Sequence, residues 1–68
     1  MNIEDIIPGS SYACMYKDLN GVDCLAVIHT RDTTQRMVEI EDTNTGLMMT
    51  MSYDDVHSVD TVEYKADL

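Results

Sequence analysis

The sequence predicts an all-β domain, a single unit over residues 1–68, in which five short, strongly bent strands form a small barrel. One helical turn is expected at its start and another before the last strand. Three observations lead there. Apolar and polar residues alternate with period two over several stretches, the pattern of half-buried strands. Turn signals rich in Asp, Asn and Gly recur between those stretches. An apolar share of 44% with 25% charged residues fits a folded domain and is too hydrophobic for a disordered acidic tail.

The elements follow in order. Asn2 can cap a first turn in which Glu4 and Asp5 meet the positive helix end, with Ile3, Ile6 and Ile7 on one side. Pro8 and Gly9 stop it; an extended arm carrying three isoleucines is the other reading. Strand one starts at Ser11, with Tyr12, Cys14 and Tyr16 on one face and Ala13, Met15 and Lys17 on the other. Asp18-Leu19-Asn20-Gly21 is a tight turn. Val22 to Thr30 is the most apolar strand, hydrophobic on both faces and so central and curved. Arg31 to Gln35 connects it to Arg36–Asp42, where Val38 and Ile40 point inward. After the turn Thr43-Asn44-Thr45-Gly46, the strand Leu47–Tyr53 sets Leu47, Met49, Met51 and Tyr53 against Met48, Thr50 and Ser52. Asp54 to Ser58 reads as a helical turn, and Val59 to Lys65 as a final strand with Val62 and Tyr64 inward.

A chain of 68 residues leaves no room for separate cofactor and substrate lobes. Domains below roughly 70 to 80 residues usually need a disulfide, a metal or oligomerisation to be stable. Cys14 and Cys24 lack zinc spacing. An even-length loop between strands one and two would put them on opposite faces, and only an odd loop with a bulge would bring them together. Buried free thiols and homo-oligomerisation are therefore expected, with no cofactor and no metal. The formal charge of −9 argues against broad attraction to nucleic acid or anionic membrane. The opening Met-Asn-Ile-Glu-Asp has no basic n-region and no apolar run approaches a membrane span, so a reducing cytoplasm is expected.

Five bent strands with one helical turn between the fourth and fifth resemble the SH3-like barrels, which include the Tudor, KOW and Sm modules. From Gly9 to Val59 the spacing is similar to a Tudor domain: a cysteine in strand one, Asn20-Gly21 before strand two, Val38-Glu39-Ile40-Glu41-Asp42 in strand three, and Asp54-Asp55-Val56 after strand four. The segment Ile6-Ile7-Pro8-Gly9-Ser10-Ser11-Tyr12-Ala13-Cys14 resembles the start of short proteins of marine cyanophage origin. That resemblance implies an Sm-like fold, ring-shaped homo-oligomers and, for a phage protein, the host cytoplasm. A Tudor methyl-cation reader would need an aromatic cage. The chain has no Trp or Phe, and only Tyr12, Tyr16, Tyr53 and Tyr64 are aromatic.

Sm proteins bind RNA from two loops, one before strand three and one before strand five. Here the first carries Arg31, Asp32, Thr33 and Arg36, so two of the four basic residues sit where the resemblance places single-stranded RNA or a nucleotide. Asp54 and Asp55 stand near the place of the family's Arg-Gly pair and repel phosphate. A solvated hairpin tip whose arginines pair with Asp32 or Glu39 is the plain alternative. Ring closure would join strand four of one copy to strand five of the next, through Met48, Thr50, Val62 and Tyr64.

Catalytic and metal motifs carry less. His29 and His57 are the only imidazoles, and no nucleophile can be assigned to either from spacing. Asp54-Asp55-x-His57 is explained by capping, and Asp42 to Gly46 departs from a calcium loop because the glycine comes one position early. Two functional expectations result. One is a non-enzymatic Sm-like ring that binds RNA or a nucleotide. The other is an acidic module that engages a basic host protein in the manner of a nucleic-acid mimic.

Overall fold

The computed structural model describes residues 2–64. They form one antiparallel sheet of five strands in the order β4-β3-β2-β1-β5. The strands are β1 (Tyr12–Lys17), β2 (Asp23–Asp32), β3 (Met37–Asp42), β4 (Met48–Ser52) and β5 (Val56–His57). One 3-10 turn, Ile3–Asp5, precedes β1, and a second, Tyr53–Asp55, lies between β4 and β5. Among the described residues β4 and β5 do not pair, so the sheet is open, without the closure a barrel requires.

Alternation decides the faces. Tyr12, Cys14, Tyr16, Ala26, Ile28, Val38 and Ile40 share the inner face with Tyr53, Val56 and Val59, while Met49 and Met51 pack against them. Ile28 and Ile40 oppose each other at the centre and are fully buried. Ile3 and Ile6 close one end; burying an isoleucine contributes about 1.5–3 kcal/mol, enough to hold a 3-10 turn that has no side-chain cap. Ile7, expected beside them, is 62% exposed.

The three hairpins use one device. Asp18 Oδ1 accepts the Asn20 and Val22 amides, Asp32 Oδ1 those of Thr34 and Gln35, and Asp42 Oδ1 those of Asn44 and Thr45. Each turn then closes on a left-handed residue: Gly21, Arg36 and Gly46, with φ of 77°, 54° and 74°. Glycine fits that region freely, whereas Arg36 carries a Cβ there.

Four further expectations are corrected. The first loop, residues 18–22, is odd in length, so Tyr16 opposes Cys24 and Cys14 opposes Ala26. Both cysteines therefore lie on the inner face, and both are free. Leu47 belongs to the turn and is exposed. The second helical turn starts at Tyr53, capped by the Ser52 hydroxyl, which accepts the Asp54 amide. The last strand is Val56–His57, not residues 59–65. Ser58 at φ 55° breaks the pairing, Val62 is 68% and Tyr64 44% exposed, and the described part of the segment runs beside β1 with Asp60 N–H donating to Ala13 O, a bridge between Glu63 and Tyr12, and Tyr64 N–H donating to Ser11 O just before the strand. Lys65 lies outside the described residues.

Candidate functional site

The β2–β3 connection, to which the RNA reading assigns Arg31, Asp32, Thr33 and Arg36, is positioned by a bulge. Ile28 opposes Ile40 and Thr30 opposes Glu39, so His29 is the extra residue. The shift returns Arg31, opposite Val38, to the inner side of the sheet. There its Nη1 donates to the carbonyls of Ile3 (3.2 Å) and Glu4 (2.7 Å). The Ile3 carbonyl also accepts the Ile6 amide, and a guanidinium suits the carbonyls at a helix end.

Arg36 reaches the same turn from the other end of the loop. Its Nη1 lies 3.0 Å from Glu4 Oε1, and its guanidinium carbon lies 5.0 Å from the centroid of Tyr53. The two arginines thus clamp Glu4, one by its carbonyl and one by its carboxylate. Asp32 is occupied in stitching the turn, and Thr33 is exposed. Arg36, Glu4, Tyr53, Asp54, His57 and Ser58 surround a cavity of about 470 Å³. The Tyr53 hydroxyl is buried without a hydrogen-bond partner among the described residues.

The residues assigned to subunit contact lie at the two opposite edges of the sheet. Along β4, Asp42 N–H donates to Leu47 O and Tyr53 N–H to Arg36 O, with unbroken register between them. Hydrogen-bonded residues alternate in an antiparallel pair. Met49 and Met51 therefore turn their backbone groups to β3, while Met48, Thr50 and Ser52 turn theirs to the free edge. No lysine, proline or bulge guards this edge. Val62 and Tyr64 are exposed beyond β5, on the far side of β1.

Two histidine arrangements escaped the sequence because they join distant strands. His29 Nε2 lies 2.9 Å from Glu41 Oε1 and its Nδ1 3.1 Å from Ser11 Oγ. A carboxylate only accepts, so Nε2 carries a proton, and in the neutral ring Nδ1 then accepts the Ser11 hydroxyl. His57 Nε2 lies 2.9 Å from Asp23 Oδ1, which also pairs with Lys17 at 3.2 Å. These two donors, His57 foremost, hold the Asp23 carboxyl below its usual range. The period-two pattern puts His29 and Glu41 on one face, but only the bulge sets them side by side. Among the described residues no group of three or more His, Cys, Asp and Glu side chains could hold a metal, and no helix is long and apolar enough to cross a membrane.

No protein-family model matches the chain, and no curated protein or solved structure was found to be similar to it.

Proposed function

We propose that the chain is an Sm-like module of the SH3-like class, non-enzymatic, whose copies join head to tail into a closed homo-oligomer. The observation that carries this reading is the unguarded β4 edge, where the backbone groups of Met48, Thr50 and Ser52 face away from β3 and pair with no strand among the described residues. The opposite edge, bearing Val62 and Tyr64, is a different surface, and pairing of unlike surfaces generates rings. The 3-10 turn between the fourth and fifth strands supports the SH3-like layout, and the free thiols leave assembly as the way to stabilise so short a chain. Size-exclusion chromatography with light scattering tests it. An oligomer is expected at micromolar concentration, dissociated by Thr50→Pro, whose lost N–H faces the edge and not β3. A monomeric parent protein overturns the reading.

As the ring's ligand, a basic protein is better supported than RNA. Arg31 and Arg36 both bind Glu4, while Asp5, Glu39, Asp54, Asp55 and Asp60 are exposed. Titration of labelled oligouridylate at low salt separates the two. Binding that weakens with salt and with Arg31→Ala or Arg36→Ala would restore the RNA reading.

A further inference from the structure

A second cavity, of about 450 Å³, lies between the N-terminal segment and the β2 bulge, within the size range of small-ligand sites. We propose that it binds a small aliphatic monocarboxylate. The inference does not depend on the oligomer.

The lining has three parts. Ile6, Ile7 and Pro8 form an apolar wall. Ile7 is a large aliphatic side chain left 62% exposed beside it, which folding alone does not require. Opposite stand His29 and Arg31, and the hydroxyl residues Ser10, Thr30 and Thr33 complete the rim. Among the described residues no Asp or Glu lines this cavity, although the chain holds 13 acidic residues against 4 basic ones. The cavity at Arg36 differs, since Glu4 and Asp54 line it.

Arg31 supplies the charge. A guanidinium has five N–H donors, and the two on Nη1 are directed to the Ile3 and Glu4 carbonyls. The three on Nε and Nη2 have no hydrogen-bond partner among the described residues. Anchoring Nη1 fixes the plane of the group, so the Nε–Nη2 edge is a preorganised fork for the two oxygens of a carboxylate. His29 has both ring nitrogens occupied by Glu41 and Ser11, and it offers the cavity a flat ring rather than a competing base. One bidentate cation, an aliphatic wall and no opposing carboxylate select a monoanion with a short hydrocarbon tail.

Hexanoate is the probe, titrated into the full chain and followed by amide NMR shifts and thermal denaturation. Saturable shifts are expected at Gly9, Ser10, Thr30, Arg31 and Thr33, with a rise in Tm, because a ligand that binds only the folded state stabilises it. Hexanol, hexylamine and acetate should each bind at least ~10-fold more weakly, having lost the charge, its sign or the tail. Arg31→Gln should weaken binding but also loosens the N-terminal turn. Ile7→Asp, at an exposed position, should fold like the parent and bind hexanoate at least ~10-fold more weakly. The proposal is overturned by no saturable shift up to about 10 mM hexanoate, a Kd weaker than the range of even a poor specific site. Hexylamine or acetate binding as tightly as hexanoate, or Ile7→Asp leaving the affinity unchanged, overturns it too.

Discussion

The Tyr16 hydroxyl donates to Asp42 Oδ2 on the buried face of the sheet, linking β1 to β3 across β2. Asp42 is only 6% exposed, and its other oxygen takes two turn amides. One carboxylate therefore organises both a hairpin and the core edge.

This pair should limit stability at both ends of the pH scale. The Tyr16 hydroxyl, followed by the Thr45 and Asn44 amides, holds the Asp42 carboxyl below its ordinary 3.8. Its contribution is complete above that value and is lost as pH falls through the lower folded value. The Tyr16 phenol is pushed above its ordinary 10.0, by the Asp42 bond first and burial second. Its contribution is complete below that value and is lost as pH rises beyond it. Tyr16→Phe should lower Tm by several degrees at neutral pH and flatten both flanks of a Tm profile between about pH 2 and pH 11. A profile that superimposes on that of the parent would refute the pairing's role.

The three aspartate turns allow one substitution to be read in three places. Asparagine keeps a carbonyl oxygen for the turn amides, so Asp18→Asn and Asp32→Asn should cost less than about 0.5 kcal/mol, and the alanine variants about 1 kcal/mol. Asp42→Asn should be much more damaging than either, because with its carbonyl oxygen held by the turn amides the Asn side chain leaves only an NH2 where the carboxylate oxygen accepts the Tyr16 hydroxyl. Urea unfolding measures all of these. Equal losses at positions 18 and 42 on change to Asn would show that the hydroxyl bond contributes nothing.

Arg36 combines a strained backbone with two side-chain contacts, and two variants separate these. Gly and Ala both remove the guanidinium from Glu4 and Tyr53. Only Ala retains a Cβ at φ 54°. Arg36→Gly should therefore be more stable than Arg36→Ala by about 1 kcal/mol in urea unfolding. Equal stabilities would mean that the turn relaxes out of the left-handed region once the side chain is gone.

What the sequence made legible was local. Alternation placed Tyr12, Cys14 and Tyr16 on the inner face and buried Val38 and Ile40, and Asp-Leu-Asn-Gly announced its hairpin. The failures are register effects. In β2 the apolar run continues on both faces, so nothing local marked the bulge at His29 that carries Arg31 inward. In the last segment Val62 and Tyr64 keep a strand's alternation, but Ser58 has already left the strand conformation. The loop that carries the arginines was legible, whereas their partner Glu4, 27 and 32 residues away, is fixed by tertiary packing.

The two cysteines turn such a register effect into a measurement. The odd first loop puts both on the inner face, Cys24 opposite Tyr16 and Cys14 two positions further along the ladder, opposite Ala26. Their shared face does not make them chemically equal. Burial pushes the Cys14 thiol up to about 11, so at about pH 8 roughly a thousandth of it is thiolate, the reactive form. Cys24 is half-buried, with its sulfur 3.6 Å from the Val22 carbonyl. Pulsed iodoacetamide labelling read by peptide mass spectrometry should modify Cys24 first and Cys14 only under unfolding conditions. Diagonal cross-strand positions are wider than a disulfide favours, so exposure to air should leave two titratable thiols. Equal labelling rates, or a disulfide formed without unfolding, would place the first loop in a different register from the one in which Tyr16 faces Cys24.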